Sequence, residues 1–165
     1  MNSRWLAAIL TLPVPVALLV PAGLLLAFRG DRFALALPGA ALWAALLVGL
    51  AGCALAVWSA LTFKRHAGGT PAPWDPPTRF VARGPYRYIR NPMILGVILL
   101  LLAEGLVFRS WPLLVWFLLF TAGNLVYIPL IEERGLARRF GEMYLQYKRE
   151  VPRWIPRTTR EGGQR

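Results

Sequence analysis

Residues 92–131 read PMILGVILLLLAEGLVFRSWPLLVWFLLFTAGNLVYIPLI. Two apolar runs, 92–108 and 111–131, are separated only by Arg109 and Ser110, and Glu104 is the one charged residue inside either run. An apolar helix needs ~20 residues to cross the hydrocarbon core of a bilayer. A two-residue connection leaves consecutive helices no choice but to run antiparallel as neighbours. The stretch therefore reads as a helical membrane hairpin whose two outer ends, near Asn91 and Glu132, return to the same face.

The rest of the chain fits that reading. Of 165 residues, 56% are hydrophobic and 16% charged, against about a quarter charged in an ordinary soluble domain. Two more apolar blocks precede the hairpin, at 5–28 and 33–63. The first contains Pro13, Pro15 and Pro21, which a membrane helix tolerates at the cost of a kink. It is too long for a signal-peptide core, and no small-residue cleavage site leads from it into a soluble domain. The second exceeds a single span, which implies tilt or extension beyond the bilayer. Trp5, Trp43, Trp58, Trp111 and Trp116 are candidates for interface anchoring where they lie near span ends. The expected fold is all-α and integral to the membrane, with about four transmembrane helices and a cytoplasmic C-terminal helical cap.

Charge sets the orientation. The formal net charge is +11, and the basic residues lie between and after the apolar blocks. That placement suits an anionic membrane face rather than nucleic acid. Segment 64–91 carries six Lys or Arg and the tail 132–165 carries nine, against two at 29–32 and one at 109–110. The positive-inside rule then puts both termini in the cytoplasm, in a bacterium on the inner membrane. Between the second and third blocks, residues 68–77 hold four prolines, Trp74 and two glycines. Such a stretch excludes regular helix and reads as a rigid loop over the membrane surface. Residues 132–150 read as one amphipathic helix, with Leu136, Phe140, Met143, Tyr144 and Tyr147 on one face. Val151 and Pro152 end it, and 157–165 reads as a disordered tail. The chain shows no internal repeat, and a single domain over 1–156 is expected.

Three constellations can carry chemistry. Residues 84–96, Gly-Pro-Tyr-Arg-Tyr-Ile-Arg-Asn-Pro-Met-Ile-Leu-Gly, place Asn91 at an N-cap position and Pro92 in the first turn of a helix. This is either a capped helix start with arginines facing lipid headgroups, or an anion site built from free N–H groups and the helix dipole. Glu132 and Glu133 follow the fourth block. They either pair with Arg134, Arg138 or Arg139, or supply a carboxylate to hydroxyls or to a cationic ligand. Residues 140–152 form an amphipathic surface helix that packs on the protein or completes a site. The lone Cys53 and lone His66 exclude a disulfide and any metal-ligand spacing. Cys53 reads as a small packing residue, His66 as a solvated interface residue, and Glu104 as reaching water near the outer end of its span.

Taken together, these motifs resemble the isoprenylcysteine carboxyl methyltransferase and phospholipid methyltransferase family. The resemblance spans 69–156 and rests on order and spacing: GPYRYIRNPM at 84–93, a hairpin, Glu132-Glu133, then Phe140-Gly141, Tyr144, Tyr147 and Val151-Pro152. It implies S-adenosyl-L-methionine as cofactor and a lipophilic or amphipathic methyl acceptor. The cofactor-binding positions it implies are Phe80, Val81, Tyr86, Asn91, Pro92, Met93, Ile94 and Glu132. The chain departs from the family pattern at Asn91, more usually histidine, at Ile94, often tyrosine, and at Ile128, an arginine in the eukaryotic prenylcysteine enzymes. The resemblance thus speaks more strongly for methyl transfer than for a prenylcysteine acceptor. It names no catalytic residue, and in-line methyl transfer needs none beyond positioning and exclusion of water. Two other readings stay open on sequence: a nicotinamide-dependent membrane reductase of similar C-terminal architecture, and a non-catalytic membrane protein such as an assembly factor or small transporter.

Overall fold

A computed structural model describes residues 3–11, 13–30, 38–72 and 74–156. The start of the second apolar block and the expected disordered tail lie outside the described residues. The described chain is helical: α1 (Ser3–Thr11), α2 (Val20–Ala27), α3 (Gly39–His66), α4 (Pro92–Val107), α5 (Trp111–Tyr127), α6 (Glu133–Phe140) and α7 (Glu142–Glu150). A π-helical turn at Pro15–Leu19 precedes α2, another at Ile128–Glu132 joins α5 to α6, and a 3-10 turn spans Gly84–Arg87. Two helices are long and apolar enough to cross a membrane: Gly39–His66, 28 residues, and the continuous helix Trp111–Phe140, 30 residues. The other two blocks form shorter apolar helices, Pro15–Ala27 and Pro92–Val107. The outward faces of α3 and α5, with Trp43, Leu47, Leu50, Leu118 and Leu119, are exposed. An apolar exterior of this extent is what lipid covers.

The bundle is built on the crossing of α3 and α4. Small residues line the α3 side: Ala45, Gly49, Gly52 and Ser59 are buried. A Cβ at Gly96 would stand 2.6 Å from the Gly52 carbonyl oxygen and 2.7 Å from the Ala56 nitrogen. Only glycine lets the two backbones approach this closely, and dispersion replaces the hydrophobic effect as the attraction between membrane helices. Cys53, on the flank of that face, is exposed, so it does not pack between helices. The α4–α5 turn passes through Arg109 at φ 52 and the buried Ser110. Glu104, expected to reach water, is half-buried, and its Oε2 has no hydrogen-bond partner among the described residues.

Prolines set the irregularities. Pro129 has no N–H to give to the carbonyl four residues back. The ladder slips by one residue, and the Glu133 N–H donates to the Ile128 carbonyl instead. A π turn of this kind rotates everything after it by about 100° relative to a regular helix. The first block breaks the same way: the Val20 N–H donates to the Pro15 carbonyl, and the Trp116 indole holds the turn through the Val16 carbonyl at 3.0 Å. Trp5 is buried against Phe63, ring centroids 6.4 Å apart, which removes it from the interface anchors.

The tail is two helices rather than the single amphipathic helix expected from its pattern. Gly141, at φ 56 and ψ −134, breaks it. The break turns Met143 outward, 61% exposed, while Tyr144, Tyr147 and Val151 form a core with Phe80, Ala82, Leu136 and Phe140 around them. The loop after α3 and the segment after α5 thereby fold together at one end of the bundle. The Tyr147 hydroxyl donates to the Tyr86 carbonyl at 2.6 Å, and Phe80 meets the Tyr147 ring edge-on at 5.0 Å. The Arg4 guanidinium bonds the Asp75 carboxylate, so the N-terminal helix begins at this same end.

Candidate functional site

A cavity of about 780 Å³ opens at the end where these segments meet. Its wall there carries Phe80, Tyr86, Asn91, Glu132, Tyr144 and Tyr147; deeper, between the helices, it is lined by Ala56, Ala60, Val97 and Phe120, with Asn124 the polar exception. Seven of the eight residues singled out from the sequence, Phe80, Val81, Tyr86, Asn91, Met93, Ile94 and Glu132, line this one cavity. Pro92 does not. It is fully buried in the first turn of α4, where it shapes the helix start.

Asn91 occupies the N-cap position, but its side chain makes no capping hydrogen bond. Its Nδ2 is buried and without a partner among the described residues. The N–H groups of Met93 and Ile94 likewise find no backbone acceptor among the described residues, the first bond of the helix being Leu95 N–H to the Asn91 carbonyl. A buried donor left unpaired costs about 1–3 kcal/mol. The buried Asn91 amide and the two free first-turn N–H groups beside it suit an acceptor ligand at a positive helix end.

The acidic pair divides in two. Glu133 is 3% exposed and is the hub of an ion cluster. Its Oε1 accepts from Arg90 Nη1 at 2.9 Å and from Arg153 Nε at 2.8 Å; Lys148 Nζ lies 2.8 Å from Oε2. The neighbours expected from sequence, Arg134, Arg138 and Arg139, are not its partners. Ile128 and Glu133 are both buried and five residues apart, the spacing that the π turn imposes in place of four. Glu132 is half-buried on the cavity wall, and its carboxylate has no ion pair or hydrogen bond among the described residues. Arg90, read from sequence as one of the arginines facing headgroups, has only 10% of its side chain exposed.

The tyrosines stay protonated donors. Burial holds the Tyr86 phenol far above its ordinary range, with Tyr147 and the Glu132 carboxylate adding to it. Burial does the same for Tyr147, reinforced by Tyr144. Tyr144 is pushed up to about 12 by burial first and the Glu133 carboxylate second. The site therefore combines neutral phenols, an unpaired carboxylate, unpaired N–H donors and aromatic faces, with an apolar arm behind them. Among the described residues no group of His, Cys, Asp and Glu is arranged to hold a metal ion.

Residues 40–143 match the phospholipid methyltransferase family over more than half of the chain, and the chain belongs to that family. The match takes in nearly all of α3, which carries no motif legible from sequence, and stops before Tyr144, Tyr147 and the 151–153 segment. Membership brings methyl transfer to lipid-like substrates and residence in a membrane. Compared with individual curated proteins, the chain finds no match.

Proposed function

We propose that the protein is an S-adenosyl-L-methionine-dependent methyltransferase that modifies a lipophilic or amphipathic acceptor at the cytoplasmic face of the membrane. The observation that carries this is the single cavity shared by a polar end and an apolar arm. The residues fit the cofactor. The unpaired Asn91 Nδ2 and the N–H groups of Met93 and Ile94 suit its carboxylate, Glu132 suits its positive charge, and the rings of Phe80 and Tyr86 suit its base. When bound, it supplies an electrophilic methyl group on a positively charged sulfur. The chain's own part is to hold the reactants in line, exclude water, and leave the apolar arm for the acceptor's lipophilic portion. Ile128 is fully buried and absent from the cavity wall, so it offers no cation to an acceptor carboxylate.

We further read the chain as one domain over 1–156 with four spans, both termini cytoplasmic. The two shorter helices complete the crossing with their flanking turns, and the basic loop and tail supply the inside charge. Titrating radiolabelled S-adenosylmethionine onto the detergent-purified protein tests the cofactor. Saturable binding, displaced by S-adenosylhomocysteine and not by a reduced nicotinamide dinucleotide, is the expected result. Absence of binding, or displacement by the nicotinamide, would overturn the reading.

A further inference from the structure

The segment after α7 is tied down more firmly than a chain end requires. The Arg90 N–H donates to the Pro152 carbonyl at 2.9 Å, and the Asn91 N–H to the Arg153 carbonyl at 3.4 Å. These two N–H groups lie just before α4, where the helix offers them no acceptor. The side chains repeat the link, since Arg90 and Arg153 share one oxygen of Glu133. Residue 90 is thus held through backbone and side chain at once, both times to the 151–153 segment. Neither Arg153 nor Lys148 lines the cavity.

We propose that Glu133 is a positioning residue: it locks residues 151–153 as a strap over Arg90 and Asn91, and so fixes the polar start of α4 for the cofactor. This rests on the function reading above. A buried donor without a partner is less favourable than one in water, so contacts elsewhere must hold the helix start that carries the Asn91 amide in place. The strap consumes the two preceding N–H groups, fixes the backbone around Asn91, and leaves its amide free for a ligand. One carboxylate from the α5–α6 helix couples the two ends of the hairpin.

The test uses the full chain in detergent and reads two quantities: hydrogen exchange at the Arg90 and Asn91 amides, and affinity for radiolabelled S-adenosylmethionine. Arg153→Met should accelerate exchange at both amides and weaken binding about tenfold or more, although Arg153 does not line the cavity. Arg153→Lys, which keeps the charge, should recover most of both. Lys148→Met, which removes a cation outside the strap, should leave exchange at the two amides unchanged. Unchanged exchange in Arg153→Met overturns the lock, and accelerated exchange with wild-type affinity overturns its positioning role. A wild-type protein that binds no S-adenosylmethionine sinks the function reading instead, while the exchange comparison still upholds or overturns the lock.

Discussion

Replacing Glu132 by glutamine isolates one charge at the site. The carboxylate lies half-buried on the cavity wall, without an ion pair among the described residues. The substitution therefore removes no ion pair or hydrogen bond that the carboxylate makes among the described residues. A unit positive charge about 4 Å away, in a medium of effective dielectric about 20, is attracted by roughly 4 kcal/mol. Part of that offsets desolvation, leaving a net loss of about 1.5–3 kcal/mol for a charged contact. Affinity for S-adenosylmethionine should fall ~10- to 150-fold, with no fall in the melting temperature. Glu133→Gln is the contrast. It strips three cations of a buried partner, a loss of about 3–5 kcal/mol in comparable buried pairs, and should lower the melting temperature clearly. Isotherms and thermal unfolding curves for both variants separate the two roles. Wild-type affinity in Glu132→Gln would refute the assignment of Glu132 to the cofactor.

Asn91→Ala should weaken cofactor binding about five- to tenfold without loss of stability, because its side chain makes no capping hydrogen bond and its Nδ2 has no partner among the described residues; a lowered melting temperature would show a structural role instead. Gly96→Ala drives a methyl into the Gly52 carbonyl and should destabilise by about 1–3 kcal/mol or more, read by thermal unfolding, whereas Gly23→Ala meets open space and should not. Pro129→Ala restores an N–H to the α5 ladder; if the regular helix returns, Glu133 swings off the Arg90 side and both melting temperature and cofactor affinity drop, and neither falls if the π turn has another cause. The unfolded Tyr144 phenol titrates near ~10, the folded one at about 12. The folded state binds more protons in that window, so stability is full below ~10 and is lost as pH rises through about 12. Tyr144→Phe should flatten that alkaline loss in unfolding curves taken across the window.

How much of this was legible in the sequence follows from which physics each feature depends on. The helical class and the return of 84–93 and 132–152 to one end depend on apolar run length and on the two-residue turn at Arg109-Ser110, and both are local. The residues found on the cavity wall were legible through the order and spacing of the family motifs, since residue types alone left a capped helix start and a surface ion pair as open alternatives at Asn91 and Glu132. What failed was phase. A regular helix puts residue 132 above Ile128, and only the missing N–H of Pro129 moves that position to Glu133. The proline was visible; that the helix would continue through it with a slipped ladder, instead of bending or stopping, depends on the packing of Ile128 at its centre. Gly141 hid the tail's true faces in the same way, since a regular pattern across it places Met143 inward. The partners of Glu133 were less legible still, because Arg90, Lys148 and Arg153 come from three separate elements. Their convergence exists only after the hairpin has closed and α7 has folded back upon Phe80. Ion pairing at that junction is therefore a consequence of the fold, and it stabilises a geometry that apolar packing has already selected.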